Sequence, residues 1–142
     1  MNNIRDARVE DADAIRNLLE QLGYSNTVAF IENKLTIMLS DTTYKVIVYE
    51  ANDKVAGFIS VHFYEQIAYE GKFATIGFFV VDSTLRSRGI GKALEEYCTR
   101  LATDKGCAIM ELYSNEKRVD AHRFYERQGY KSYEKYFMKE VG

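Results

Sequence analysis

The chain reads as a mixed-sheet α/β (α+β) domain, on three observations. Apolar residues recur at helical spacing up to about residue 39, then at strand spacing, then alternate between the two periods. The stretch from Phe73 to Val81 (FATIGFFVV) is almost wholly apolar, as a central strand covered on both faces requires. Glycines 23, 106 and 129 stand where helical periods break off, the usual place for a left-handed helix stop. The order that follows is β-α-α-β-β-β-α-β-α-β, an antiparallel meander and then crossovers, in one domain over residues 1–142.

Ile4–Val9 is the first strand. Glu10, Asp11 and Asp13 load the start of the next helix with negative charge that suits its dipole. That helix carries Ile15, Leu18, Leu19 and Leu22 on one face and stops at Gly23. A second helix runs from Thr27 to Leu39 with Val28, Ile31, Leu35, Met38 and Leu39 as its stripe. Tyr44–Glu50 is a strand, Asn52-Asp53 a tight turn, and Val55–Tyr64 the antiparallel return. Glu65–Lys72 is a loop before the apolar strand Phe73–Val81. Gly89–Lys105 is a helix with Ile90, Leu94, Tyr97, Cys98 and Leu101 on one face. Cys107–Tyr113 is a strand, Glu116–Gln128 a helix, and Tyr130–Lys139 a closing strand.

Composition narrows the function. Charges nearly cancel over 142 residues, with Lys+Arg 19, Asp+Glu 21 and a net charge of −2. No bulk basic field exists to hold nucleic acid, which is excluded as a partner. Proline is absent where about seven are expected from average usage, so turns fall to Gly, Asn, Asp and Ser. The two cysteines, Cys98 and Cys107, form no metal-ligand spacing and read as small core residues, so no metal is expected. The charged N-terminus is unlike a signal peptide, and no apolar run is long enough to span a membrane. The expectation is a cytoplasmic protein with no membrane partner.

Two constellations carry chemistry. Arg86-Ser87-Arg88-Gly89-Ile90-Gly91-Lys92 lies between the apolar strand and a helix, where backbone N–H groups and the helix dipole face an anion. Gly89 and Gly91 remove the Cβ atoms that would hold a phosphate off, and Arg86, Arg88 and Lys92 add charge. A pyrophosphate cradle fits this context better than a turn with solvated basic residues. It is neither a P-loop, since Arg86 and Ala93 stand at required positions, nor a dinucleotide fingerprint, since Leu94 occupies the third small position. The second constellation is Asp120-Ala121-His122-Arg123-Phe124-Tyr125-Glu126-Arg127-Gln128-Gly129-Tyr130. Taken alone, it suits a core aromatic at Tyr125 better than a proton donor.

Together, Arg86-x-x-Gly89-x-Gly91 and the later Ala121-x-x-Phe124-Tyr125-Glu126-x-x-Gly129-Tyr130 resemble the GCN5-related N-acetyltransferases, the GNAT family. The element order is similar to that fold over essentially the whole chain. More narrowly, the run from Glu111 to Tyr125 is similar to the corresponding stretch of aminoalkylphosphonate and other small-amine N-acetyltransferases.

The resemblance implies an acetyl-CoA-dependent N-acetyltransferase that moves an acetyl group to a primary amine by direct attack in a ternary complex. The acceptor would be a small molecule. A bulged fourth strand would splay from the fifth at Phe79, Val80 and Val81, whose backbone would hold the thioester carbonyl. Arg86, Ser87, Arg88, Gly89, Ile90, Gly91 and Lys92 would hold the pyrophosphate, Asn115 the pantetheine amides, and Tyr125 would protonate the departing thiolate. A homodimer is common among similar proteins, and the last strand, with Tyr133, Tyr136 and Phe137, is a candidate interface.

Three departures stand against the family pattern. Arg118 replaces the usual Asn, Ser83 replaces a frequent Pro, and Thr75-Ile76-Gly77-Phe78-Phe79 offers no carboxylate. The general base is therefore open among His62, Glu65, Glu70, Glu111 and a bound water. A lone strand histidine such as His62 is also a common structural residue, and His122 reads as packing or hydrogen bonding. Tyr24, Tyr64, Glu65, Tyr69 and Glu70 in the variable segments suit a cationic amine or a solvated loop equally. The missing carboxylate keeps open a CoA-binding sensor or interaction module without turnover, and the near-neutral charge neither supports nor excludes a protein acetyltransferase acting on Lys or an N-terminus.

Overall fold

The structure is a computed structural model that describes residues 3–113, 119–133 and 137–142. A five-stranded sheet is built in the order β1 (Ile4–Asp6), β2 (Tyr44–Ala51), β3 (Lys54–Tyr64), β4 (Lys72–Val81) and β5 (Cys107–Leu112). The first four strands pair antiparallel and β5 joins β4 in parallel. Helices α1 (Ala12–Gln21) and α2 (Ile31–Leu39) precede β2. Helix α3 (Ile90–Asp104) makes the β4-to-β5 crossover, and α4 (Val119–Arg127) follows β5.

Strand alternation splits the core in two. Val46, Val48, Phe58 and Val80 pack with Ile15, Leu18, Leu19, Ile31 and Leu35 under α1 and α2. Ile47, Ile59, Val61, Ala74 and Ile76 pack with Ile90, Leu94 and Cys98 under α3. The expected Asn52-Asp53 turn has φ of 54° and 62°, the left-handed pair of a tight hairpin. Burial pushes the Cys98 thiol up to about 12, so it remains a protonated core atom.

Four expectations are revised. The first strand ends at Asp6 because the Asp11 carboxylate takes the Arg5 guanidinium (2.8 and 2.9 Å) and the Arg8 amide (2.8 Å), curling Val9–Asp11 into a 3-10 turn. The second helix begins at Ile31, four residues later than expected. Phe30 and Ile31 first donate their N–H groups to the Thr27 carbonyl in a separate turn, which leaves Val28 70% exposed. The middle of β4 is not covered on both faces, since Gly77 and Phe78 are exposed.

The fourth revision concerns the closing strand. The described residues 131–133 and 137–142 lie in no strand, and residues 134–136 lie outside the described set. After Gly129, Tyr130 donates its N–H back to the Tyr125 carbonyl and its hydroxyl to Glu95 (3.0 Å), turning the chain onto α3. Beyond it Tyr133 and Phe137 are 86% and 84% exposed, so apolar burial does not draw this segment against the sheet.

Candidate active site

The site begins with one extra residue in β4. Ile59 pairs with Phe79 while Val61 pairs with Ile76, so Gly77 and Phe78 together oppose Ser60. The Phe78 N–H donates to Ser60 Oγ at 2.9 Å, which satisfies the donor that the bulge removes from the ladder. A Cβ on Gly77 would stand 3.0 Å from the same oxygen, so this position requires glycine-like backbone clearance.

Just before this bulge the pairing of β4 with β5 ends, at Ile76 opposite Leu112. Residues 77–81 continue along β3 alone and open a gap toward the line of β5. Asp82 donates its N–H to the Ala56 carbonyl, and the Val80 carbonyl lies 3.0 Å from a Cβ built on Gly57. Those groups point to β3. Strand alternation therefore turns the backbone of Phe79 and Val81 to the open edge. Of the three expected contact residues, Val80 instead has its backbone directed to β3 and its side chain buried under α1.

Beyond Val81 the chain turns into α3 without proline. Asp82 Oδ1 accepts from the Thr84 N–H (3.0 Å) and Thr84 Oγ1 (2.9 Å), and the Gln21 side chain accepts from the Ser83 N–H at 2.8 Å. The Thr84 backbone N–H holds the Asp82 carboxyl below the usual carboxylate range. Ser87 and Gly89 take positive φ, 68° and 82°, so the loop folds back over the start of α3. Gly89 occupies the N-cap with no side-chain cap, and a Cβ on it would meet nothing within 4 Å. The first amides of a 15-residue helix thus open onto space rimmed by the exposed Arg86, Arg88 and Lys92. Ile90 turns inward and is buried; Gly91 faces α4, with the Phe124 ring 3.5 Å from its built Cβ.

Helix α4 closes the same end of the sheet. The Phe79 ring lies 5.8 Å from Phe124 and 6.3 Å from Tyr125, and Tyr125 lies 5.8 Å edge-on to Tyr130. Tyr125 is thereby set beside the splayed part of β4. Asn115, expected to meet the pantetheine, lies outside the described residues, as do Tyr136 and Arg118.

On the opposite face, pairing registers align Tyr44, His62, Thr75 and Glu111 in one row across β2, β3, β4 and β5. The His62 ring stacks between Tyr44 and Tyr64, with centroids 4.3 and 5.0 Å away. The Tyr64 and Thr75 hydroxyls lie 2.7 Å apart and both reach Glu111 Oε1, at 3.0 and 3.2 Å. β5 therefore presents a carboxylate at the position where β4 itself has none. Glu65 and Glu70 stand exposed in the loop before β4.

Tyr44, His62, Tyr64 and Thr75 form one end of a cavity of about 570 Å³ between the sheet and α1–α2, with Glu111 behind the Tyr64 and Thr75 hydroxyls. Gly77, Phe78 and Ser60 belong to both the cavity wall and the bulge, so cavity and gap adjoin. Ser60 and Thr75 were missed from sequence. A glycine inside an otherwise apolar strand was the available signal for a bulge, but nothing local marks Ser60, seventeen positions before Gly77, as the residue facing it.

The chain matches the model of the acetyltransferase (GNAT) family over residues 11–130. It is 31% identical over 133 residues to an aminoalkylphosphonate N-acetyltransferase of Salmonella typhimurium, spanning 90% of this chain and 84% of that one. In fold it is similar to a transcriptional regulator from Bacillus halodurans (TM-score 0.90, 23% identity, 97% and 98% of the two chains). It is also similar to glucosamine-6-phosphate N-acetyltransferase from Arabidopsis thaliana (TM-score 0.86, 24% identity, 98% and 97%). The chain belongs to the GNAT family and is an acetyl-CoA-dependent N-acetyltransferase. Among the described residues no helix is long and apolar enough to cross a membrane.

Proposed function

We propose that the chain, acting as one domain over residues 1–142, acetylates a primary amine on a small molecule by direct attack within a ternary complex with acetyl-CoA. The observation that carries this reading is the adjoining of a strand gap and an open-mouthed cavity at one bulge, Gly77-Phe78. A thioester in the gap and an amine in the cavity would then meet there, which converts a bimolecular reaction into a positioned one.

The residues present fit CoA. The uncapped α3 amides, with Arg86, Arg88 and Lys92 around them, suit a pyrophosphate, and Gly89 leaves room for close approach. The Phe79 and Val81 backbone at the open edge would hold the pantetheine and the acetyl carbonyl, and a backbone N–H there would stabilise the oxyanion. Asn115 would add a contact to the pantetheine amides. Tyr125, beside Phe79, would donate the proton that the leaving thiolate needs. His62 and Glu111 sit in the row at the cavity end and are better placed to take the amine proton, directly or through water, than Glu65 and Glu70 in the exposed loop.

The test is thiol release from acetyl-CoA across a panel of primary amines, with CoA binding measured by calorimetry. Wild type should bind CoA and turn over at least one amine, while a Gly89→Val, Gly91→Val double variant should lose CoA affinity by at least tenfold. Binding without turnover of any amine would favour a CoA sensor instead.

The reading extends to a cytoplasmic homodimer formed through the segment after Gly129, where Tyr133 and Phe137 are exposed. Light scattering should give twice the monomer mass; a monomer at micromolar concentration would remove this part.

A further inference from the structure

The cavity on the α1–α2 side points to the kind of amine it takes. Its walls are aliphatic and aromatic: Tyr24, Phe30, Leu35, Met38 and Phe78 are among them. Its size is that of a small-molecule site. Lys34 is the single Lys or Arg among the described residues that line it. At the strand end, the Tyr64 and Thr75 hydroxyls share the Glu111 carboxylate, which places negative charge behind two hydroxyls on the wall. Thr27, at the helix side, is 9% exposed, and its Oγ1 has no hydrogen-bond partner among the described residues. A buried hydroxyl left unpartnered in a cavity wall is costly unless a ligand atom completes it.

We infer that the acceptor is a monocationic primary amine carried on an aromatic body that bears one neutral polar group, such as a hydroxyl. The inference rests on the acetyl transfer proposed above. The aromatic body fills the Tyr24–Phe30–Phe78 region, the Thr27 hydroxyl bonds the neutral polar group, and the ammonium is drawn toward Tyr64, Thr75 and Glu111. A doubly charged phosphonate head fits poorly, because burying it among carbon atoms beside one lysine leaves charge uncompensated. This separates the chain from its relative of 31% identity, whose name specifies aminoalkylphosphonates.

The experiment compares tyramine, phenethylamine, isopentylamine and 2-aminoethylphosphonate as acceptors with saturating acetyl-CoA, beside calorimetric binding of CoA alone. Tyramine is expected to lead, with kcat/KM at least tenfold above 2-aminoethylphosphonate and several-fold above phenethylamine. Thr27→Val should abolish the preference of tyramine over phenethylamine while leaving the KM for acetyl-CoA unchanged. Phe30→Ala, at a half-exposed position, should raise the KM for both aromatic amines about tenfold. If CoA binds and the phosphonate is used as well as tyramine, or no aromatic amine is acetylated, the acceptor inference falls and the CoA site stands. If CoA itself does not bind, the underlying reading falls first. As a readout independent of turnover, 4-(2-hydroxyethyl)phenol, which lacks the nitrogen, should bind the wild-type protein in calorimetry and bind Thr27→Val at least several-fold more weakly; no binding to the wild type would also overturn the inference.

Discussion

At the scale of single residues, Tyr125 is the side chain proposed to protonate the leaving thiolate. Its ring is fixed by three aromatic neighbours, Phe79, Phe124 and Tyr130, so its hydroxyl is held by packing rather than by chance rotamers. Tyr130 is in turn fixed by Glu95, a 5% exposed carboxylate on α3 that also accepts from Thr99 Oγ1 at 2.9 Å. Burial and the neighbouring Glu95 carboxylate push the Tyr130 hydroxyl well above the usual phenol range, so it remains a donor at all working pH. Tyr125→Phe removes only the hydroxyl. Turnover is expected to fall about 100-fold, the lower end of general-acid contributions, with CoA affinity nearly intact. Steady-state kinetics beside calorimetry check this, and unchanged turnover would remove Tyr125 from the mechanism.

At the scale of elements, the bulge decides where the gap opens. β4 would otherwise continue as a strand between β3 and β5, and a fully paired central strand offers no free backbone edge. Ser60 stabilises the irregular form by accepting the Phe78 N–H. Ser60→Ala leaves that partly buried donor without its acceptor, at about 1 kcal/mol. The variant should lower the urea midpoint by the corresponding amount and raise the KM for acetyl-CoA, while Ser60→Thr should recover most of both. A shift in stability with no change in that KM would show that the bulge does not shape the donor site. The loop into α3 follows the same economy. The Asp82 carboxylate accepts from Thr84, the Gln21 side chain accepts from the Ser83 N–H, and Ser87 takes a φ of 68° that most L-residues avoid.

At the scale of the whole molecule, the Arg5–Asp11 pair ties β1 to the start of α1, and Arg5 also bonds Glu50 on β2. The Arg5 hydrogen bonds hold the Asp11 carboxyl below its usual range. A carboxyl with a lowered native value binds fewer protons folded than unfolded, so its contribution is complete above the unfolded value near 4 and is lost as pH falls through the native one. The urea midpoint of Asp11→Asn is therefore expected to lie below wild type at pH 6 and to converge with it as pH falls below about 4. Parallel curves over that range would exclude Asp11 as the titrating group. The element order through α3 and β5, the hairpin at Asn52-Asp53 and the loop Arg86–Lys92 were legible in the chain alone, because hydrophobic period, turn chemistry and glycine placement are local properties. Tyr125 was legible only through two motifs read together. What tertiary structure alone decided is which distant residues meet: Ser60 against Phe78, and Glu111 behind Thr75 and Tyr64. Pairing register sets these meetings, and a shift of one residue in register would send each side chain to the opposite face.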